Sequence, residues 1–315
     1  MSQFTIYRST DTSAPILNGI TGSFVNLLDK CLITGYGSQI PAGWTKPFPN
    51  SGTTGCYLPA SGSRFNLVVK DDSTTHSMMV GFEVLTNATT GTNQFGSYGL
   101  NANSANVHKS ASADSISRDW ILFADSFTFY FFNISTSLSN SYFGEMFGDF
   151  YSVGGTGDIY RCAVIGNSFT STPTAATSMF DISSTFSDTI LSHYTPRNSV
   201  GIYPGSPGLQ LGKHGDAGKA GSTTLLTGSI AYPNPIDQGI YISPIWITEP
   251  TNLVIRGRLR GVYHMLHAPN SFYNQQVITA TVGDFSGKSF MILKPTPNLG
   301  VYCIETSNTL DTNLT

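Results

Sequence analysis

Carboxylates are the residues of this sequence whose types and spacing could carry out a reaction. Glu145 and Asp149 are four apart in the run YFGEMFGDF, and Asp125 and Asp158 lie nearby along the chain. Two carboxyl groups at the right separation act as acid and base in glycosidases. However, an Asp beside a Gly is more typical of a turn, and the sequence contains no nucleophile elbow or HExxH motif. We therefore predict that the chain is not an enzyme, and keep a polysaccharide-degrading enzyme as an alternative.

A metal or cofactor site would need ligands at suitable spacing, and two places in the sequence are candidates for such a site. His264 and His267 are three apart, but the run VIRGRLRGVYHMLH around them alternates like a strand, on which they point to opposite faces. A phosphate-binding loop at Gly218-Lys219 fails because Ala220 follows where a Ser or Thr is required. The sequence therefore predicts no metal and no cofactor.

The cysteines are widely scattered, with no CxxC pair that would indicate a zinc site or a small disulfide framework. Unpaired cysteines are most often small buried apolar residues. The spacing therefore predicts free and mostly buried thiols. These are Cys31, Cys56, Cys162 and Cys303.

Three arginines form the most regular charged pattern of the chain. Arg256, Arg258 and Arg260 alternate with apolar residues and glycines. On a strand, residues two apart share a face. We predict that this face forms salt bridges with a neighbouring subunit, and a solvated sheet face is the alternative.

Aromatic residues in polar loops could bind a receptor. The candidates are Trp44, in the turn-rich run YGSQIPAGWTKPF, together with Tyr57 and Tyr98. We expect Tyr98 to belong to a long polar surface segment at about residues 86–115. The alternative is that these rings anchor their loops to the core, because large aromatic side chains are usually well buried.

These residues must be positioned by strands and one helix. Residues 120–123 form an apolar run, and aromatic and β-branched residues recur with a period of two over residues 127–132 and 159–165. These patterns predict strands in the middle of a sheet. Residues 23–34 instead carry apolar side chains at helical spacing and predict an amphipathic helix. Ser23 is the expected N-cap and Gly35 the expected residue after the helix.

The pattern as a whole predicts a mainly β protein with antiparallel, sandwich-like sheets and one N-terminal amphipathic helix. We expect an N-terminal β-rich domain over residues 1–168, a polar linker or insertion over residues 169–199, and a C-terminal β-rich domain over residues 200–315. The boundaries follow a change to Ser- and Thr-rich composition after residue 166.

Composition limits the class of protein. Of the 315 residues, 40% are hydrophobic and only 11% are charged, with a formal net charge of −3. A nucleic-acid-binding protein needs clustered Lys and Arg, so we expect no nucleic-acid partner. The first residues lack the apolar segment of a signal peptide, and no apolar run reaches the length of a membrane span, so we expect no membrane insertion.

Several runs resemble a known family when they are read in order. They are IYRSTDTSAPIL, SFVNLLDKCLITGYGSQIPAGWTKPF, RDWILFADSFTFYFF and IRGRLRGVYHMLH. Together they resemble tail-associated virion structural proteins of tailed bacteriophages, over most of the chain except residues 170–222.

The resemblance implies a structural subunit of a virion, in the tail or baseplate, that is assembled in the host cytoplasm. Its partners would be other virion proteins and copies of itself. A receptor-binding protein at the tail tip or particle surface, in contact with a host surface receptor, is the alternative. No catalytic residue is carried over from the family.

Overall fold

The computed structural model of the protein describes residues 4–98, 104–134, 143–167, 193–203, 210–212, 230–249, 254–294 and 301–307. Over these residues the chain is mainly β, and every pairing between its strands is antiparallel. The predicted fold class is therefore confirmed.

The described residues contain eighteen strands and one α-helix, α1 (Ser23–Leu28). In chain order the strands are β1 (Thr5–Arg8), β2 (Thr54–Tyr57), β3 (Asn66–Lys70), β4 (His76–Leu85), β5 (Gly91–Phe95), β6 (Ala105–His108), β7 (Trp120–Ala124), β8 (Thr128–Asn133), β9 (Phe143–Asp149), β10 (Tyr151–Ser152), β11 (Cys162–Ile165), β12 (His193–Tyr194), β13 (Gln210–Gly212), β14 (Ile242–Glu249), β15 (Val254–Met265), β16 (Val277–Thr279), β17 (Ser289–Leu293) and β18 (Val301–Glu305).

The strands form three sheets. The central sheet has the order β1-β7-β8-β9-β11-β12. The N-terminal sheet has the order β2-β3-β4-β5, with β6 also paired to β4. The C-terminal sheet has the order β13-β14-β15-β18-β17-β16, with β10 also paired to β15.

The central sheet is buried on both faces, which makes the structure a stack of three sheets. Phe129 and Phe131 pack on one face, in a core shared with α1 and the N-terminal sheet. Tyr130 and Phe132 pack on the other face, in a core shared with the C-terminal sheet. The alternation of β8 supplies both cores because successive side chains of a strand point to opposite faces. The predicted mid-sheet position of these strands is confirmed, although the strand predicted over residues 159–165 begins only at Cys162.

The N-terminal helix covers the central sheet and spans the predicted residues 23–34. Its first part is α1, and a π-helix at Asp29–Thr34 continues it. Gly35 follows with φ of 76°, a left-handed value that favours glycine. The N-cap prediction was wrong, because the carboxylate of Asp71 caps the helix instead of Ser23. Asp71 Oδ2 accepts hydrogen bonds from the Phe24 and Val25 backbone N–H groups at 2.8 and 3.3 Å.

The polar stretch near residue 105 is not a surface segment, contrary to expectation. β6 is fully buried and pairs with the first half of β4. Directly after it, Lys109 lies 2.5 Å from Asp71 and donates to the Ile20 carbonyl oxygen at 2.8 Å. Both side chains of this ion pair are 0% exposed. A polar sequence is buried here because its backbone joins a sheet and its charge is paired.

The predicted domains share one core. The cluster between the central and C-terminal sheets combines Ile121 and Phe123 with Leu259, Val262 and other residues of the second predicted domain. Most of the predicted linker lies outside the described residues. Its described end, residues 193–199, adds β12 to the edge of the central sheet. The exact boundaries stay predictions.

Candidate interaction surface

A surface cleft of about 480 Å³ opens where three parts of the chain meet. Residues 152–160, which follow β9, form one wall, residues 199–201 form a second, and the start of β15 forms a third. These segments lie far apart along the chain, so the cleft exists only in the folded protein.

Arg256 forms the polar floor of this cleft. Its Nε and Nη2 atoms donate to the two carboxylate oxygens of Asp158, each at 2.9 Å. Its Nη1 atom donates to Glu249 at 2.5 Å. The Arg256 side chain is only 3% exposed. This bidentate geometry holds the guanidinium in one orientation.

The electrostatics of the floor keep both partners ionised. Burial acts to raise the pKa of Asp158, but the hydrogen bonds and charge of Arg256 outweigh it and lower that pKa. Burial likewise acts to lower the pKa of Arg256, and its two carboxylate partners outweigh it and raise that pKa. The floor therefore holds one guanidinium between two carboxylates, so the Arg256 cation is fully paired within the chain.

A second arginine connects this floor to the N-terminal sheet. Arg197 donates to both carboxylate oxygens of Glu83 on β4, at 2.6 and 3.0 Å. Its guanidinium lies 4.9 Å from the centre of the Tyr160 ring, and its backbone carbonyl accepts a hydrogen bond from Arg256 at 3.0 Å. All three sheets thus contribute to fixing the cleft.

The second wall is tied to the C-terminal sheet by Ser199. Its backbone N–H and its Oγ donate to Glu249 Oε2 at 3.0 and 2.8 Å. Because Glu249 also accepts from Arg256, one carboxylate holds the floor and the wall together. The cleft is therefore a preformed feature of the surface.

The rim of the cleft is apolar and exposed. It consists of Val153, Ile159, Val200 and Ile255, with exposed fractions of 68%, 60%, 70% and 50%. Covering exposed apolar side chains with a partner removes them from water and so favours association. A group of exposed apolar residues around a concave surface is typical of a protein interaction site.

The predicted arginine face is only partly at this site. Arg256 lies in the cleft, whereas Arg260 pairs with Asp125 at 2.8 Å and its guanidinium lies 4.6 Å from the centre of the Phe127 ring. Arg258 is 6% exposed and lies 5.3 Å from the centre of the Tyr151 ring. The expectation of an outward-facing arginine surface for a neighbouring subunit is corrected, because all three side chains are buried within this chain.

The predicted receptor-contact residues also lie mostly in the interior. Trp44 is 3% exposed and donates its indole N–H to the Asp125 carbonyl oxygen at 2.7 Å. Tyr57 is 0% exposed and donates to Asp29 at 2.8 Å. The hypothesis that these two rings face a receptor is corrected, and both anchor their segments. Tyr98 is half-buried against the outer face of the N-terminal sheet.

The carboxylates considered for catalysis are engaged inside the protein. Glu145 is 0% exposed and accepts a hydrogen bond from the Asn167 amide, and burial raises its pKa well above the usual range. Asp149 accepts from the Ser63 backbone N–H at 2.9 Å and pairs with Arg161 at 3.2 Å. Each of these carboxylates therefore has a structural partner.

The other residues singled out from the sequence are also buried. All four cysteines are free and buried, as predicted. His264 and His267 are both 0% exposed. Within the described ranges, no three His, Cys, Asp or Glu side chains are grouped so that they could hold a metal ion.

The rim was missed by sequence reasoning, which placed Ile159 in the predicted strand of residues 159–165. Val153 and Val200 precede glycines in turn-rich stretches, and Ile159 follows the short 3-10 helix Gly155–Gly157. A single apolar residue in a turn carries no periodic signal. Only the folding of distant segments brings these side chains together.

Comparison with protein-family models and with curated proteins finds no match for this chain. None of the helices in the described ranges has both the length and the apolar character that crossing a membrane requires.

Proposed function

We propose that the chain is a structural subunit of a tailed-phage virion, in its tail or baseplate, that assembles through protein–protein contacts. The observation that carries this proposal is the exposed apolar rim around a fixed cleft. The family resemblance of the sequence supplies the kind of particle. The partners are other virion proteins and copies of the same chain.

The energetics of the cleft suit a permanent contact. Covering apolar surface contributes roughly 25 cal/mol per Å². Removing an unpaired charge from water would oppose this gain, but Arg256 already has its carboxylate partners inside the chain. A partner can therefore cover the rim without desolvating an unpaired Arg256 cation.

The composition supports the same proposal. Only 11% of the residues are charged, about half the usual share for a globular protein. A surface with few charges can be covered extensively by neighbouring subunits at small electrostatic cost. The receptor-binding alternative has weaker support, because Trp44 and Tyr57 are buried.

The test is incorporation of rim variants into particles. Val200→Asp places a charge on a side chain that is 70% exposed, so the monomer should fold normally. We expect at least a tenfold loss of incorporation, measured by quantitative mass spectrometry of purified virions. Ile40→Asp is the matched control, because Ile40 is 71% exposed and lies outside the cleft.

The outcomes distinguish the virion role of the chain from the role of the cleft as its contact surface. Wild-type protein absent from purified virions would refute the virion role itself. Wild-type protein present in multiple copies, with Val200→Asp incorporated as efficiently as Ile40→Asp, would refute the cleft as the contact.

A further inference from the structure

One imidazole joins both ends of a surface loop on the outer side of the C-terminal sheet. His267 follows β15, and its Nε2 atom lies 2.8 Å from the Tyr241 backbone nitrogen. Its Nδ1 atom lies 3.0 Å from the Ala231 carbonyl oxygen. Residues 231–241 form the loop between these two contacts.

The partners determine the protonation state of the ring. A backbone N–H can only donate, so Nε2 must accept from Tyr241, and a carbonyl can only accept, so Nδ1 must carry a proton and donate to Ala231. Only the neutral Nδ1–H tautomer satisfies both. A protonated ring would place an Nε2–H group against the Tyr241 N–H group, and this hydrogen bond would be lost.

Neighbouring backbone contacts bring the same elements together. The Leu266 N–H donates to the Tyr241 carbonyl at 3.0 Å, and the Ala268 N–H donates to the Ile230 carbonyl at 2.8 Å. The His267 side chain therefore completes a set of contacts on both sides of its own position. Its ring is 0% exposed, so no water can substitute for its partners in the closed loop.

The surroundings of the ring are aromatic with few charges. The rings of Tyr232, Tyr241 and Phe272 lie 5.3, 5.9 and 6.1 Å from the imidazole centre. Asp237, within the loop, is the nearby carboxylate and acts to raise the pKa of His267. Behind Phe272, the Lys294 ammonium donates to the Phe272 carbonyl at 3.0 Å.

The loop has its own internal order. The Gln238 N–H donates to the Asn234 carbonyl at 2.8 Å, and Asp237 accepts hydrogen bonds from Gly239 and from the Tyr241 hydroxyl. At its tip Ile236 is 92% exposed. The loop can therefore keep its internal turns while its ends separate.

We propose that residues 231–241 are a pH-sensitive clasp, closed by neutral His267 and opened when His267 is protonated. Opening uncovers the Phe272 ring, which is 3% exposed in the closed state, together with the inner side of Tyr232. The device is independent of the proposed virion role.

The direction of the pH dependence follows from the burial of the ring. Burial lowers the pKa of His267 below its ordinary value of 6.5, more than the Ala231 and Ile230 backbone groups and the Asp237 charge raise it. The closed state therefore binds fewer protons than the open state. Closure is fully present above pH 6.5 and weakens as the pH falls through that value.

Hydrogen exchange on the full-length chain tests the clasp. After correction for intrinsic rates, amides of residues 231–241 should exchange about tenfold faster at pH 5 than at pH 7.5, which corresponds to about 1.4 kcal/mol. Peptides of β8, in the central sheet, should stay protected at both pH values. Faster amide exchange in β8 together with the loop would show global unfolding and overturn the proposal.

Variants separate titration from packing. His267→Gln can offer an oxygen to Tyr241 and an N–H to Ala231 without titrating, so its loop should exchange at the same corrected rate at both pH values. Asp237→Asn removes the neighbouring charge and should move the wild-type midpoint to lower pH. His76→Gln is the control, because His76 lies on β4 away from the loop, and should leave the wild-type behaviour unchanged.

Nitrogen NMR of histidine-labelled protein gives an independent reading that does not depend on a variant folding. We expect the Nδ1–H tautomer for His267 at pH 7.5. An Nε2–H tautomer, or a loop whose pH dependence persists in His267→Gln, would overturn the clasp.

Discussion

Lys109 and Asp71 form an ion pair whose two side chains are completely buried, with 2.5 Å between Nζ and Oδ1. The other oxygen of Asp71 caps helix α1 through the N–H groups of Phe24 and Val25. One buried carboxylate thus joins the helix, the N-terminal sheet and the residue that follows β6.

Replacement of the buried cation should be costly. Lys109→Met leaves the Asp71 charge without its partner, and breaking such a pair costs about 3 to 5 kcal/mol of unfolding free energy. Lys70→Met is the matched control, because Lys70 pairs with Asp72 at 3.0 Å with both side chains more than 40% exposed. Exposed pairs contribute about 0 to 1 kcal/mol. Urea unfolding measures the stability of both variants. Equal losses of unfolding free energy would contradict the assigned role of the buried Lys109–Asp71 pair.

Glu145 should make the protein less stable as the pH rises. Burial raises its pKa well above the usual 4.5, so the folded state keeps a proton that the unfolded chain has lost. The free energy of unfolding therefore falls above pH 4.5, by up to about 1.4 kcal/mol per pH unit for one proton. Glu145→Gln should remove this slope, as measured by urea unfolding between pH 5 and 8. An unchanged slope would show that Glu145 is ionised in the folded protein.

Glu83 should give the opposite pH dependence of the free energy of unfolding. The hydrogen bonds from Arg197 lower its pKa below 4.5, so it contributes stability above that pH and loses it as the pH falls. Glu83→Gln should therefore be less stable than wild type at pH 7 and approach wild type at pH 3. Urea unfolding at pH 7 and at pH 3 measures this, and a variant as stable as wild type at pH 7 would argue against the link through Arg197.

Trp44 should affect stability rather than binding. Trp44→Phe keeps an aromatic ring but leaves the buried Asp125 carbonyl without its indole donor, at a cost of about 1 to 3 kcal/mol. Tyr273→Ser is the control, because Tyr273 is 83% exposed and should change stability by less than about 0.5 kcal/mol. Thermal unfolding and binding to host cells are measured together. Loss of cell binding without loss of stability would restore Trp44 as a receptor residue.

The thiols should not react with reagents in the folded protein. All four cysteines are buried, and burial raises the pKa of each thiol. Because the thiolate is the reactive form, a thiol-specific reagent should label none of them at pH 7 and all four in denaturant. Rapid labelling of even one in native buffer would show that its core opens locally.

The strands and the helix could be predicted because their signals are local. The alternation of Phe129, Tyr130 and Phe131 encodes a strand buried on both faces, and the helical spacing of residues 23–34 encodes one apolar stripe. Burial of the cysteines also follows from their type and spacing. Each of these features is decided within a few residues of chain.

The partners of charged residues could not be predicted, because they lie far away in sequence. Arg256 meets Asp158 across 98 residues, and Arg260 meets Asp125 across 135. A strand pattern shows that arginines share a face but does not show what covers that face. The same limit explains β6, whose polar residues are buried because the strand pairs with β4.

The stacking of three sheets has a consequence for how this chain is made. Translation delivers the strands of the central sheet up to β11 before any of residues 242–305. Until those residues leave the ribosome, Tyr130 and Phe132 have no C-terminal sheet to cover them. A nascent chain at this stage presents a bare aromatic surface, which favours aggregation or capture by a chaperone. Residues 242–305 then cover this surface, and the Arg260 backbone N–H donates a hydrogen bond to the Tyr130 hydroxyl.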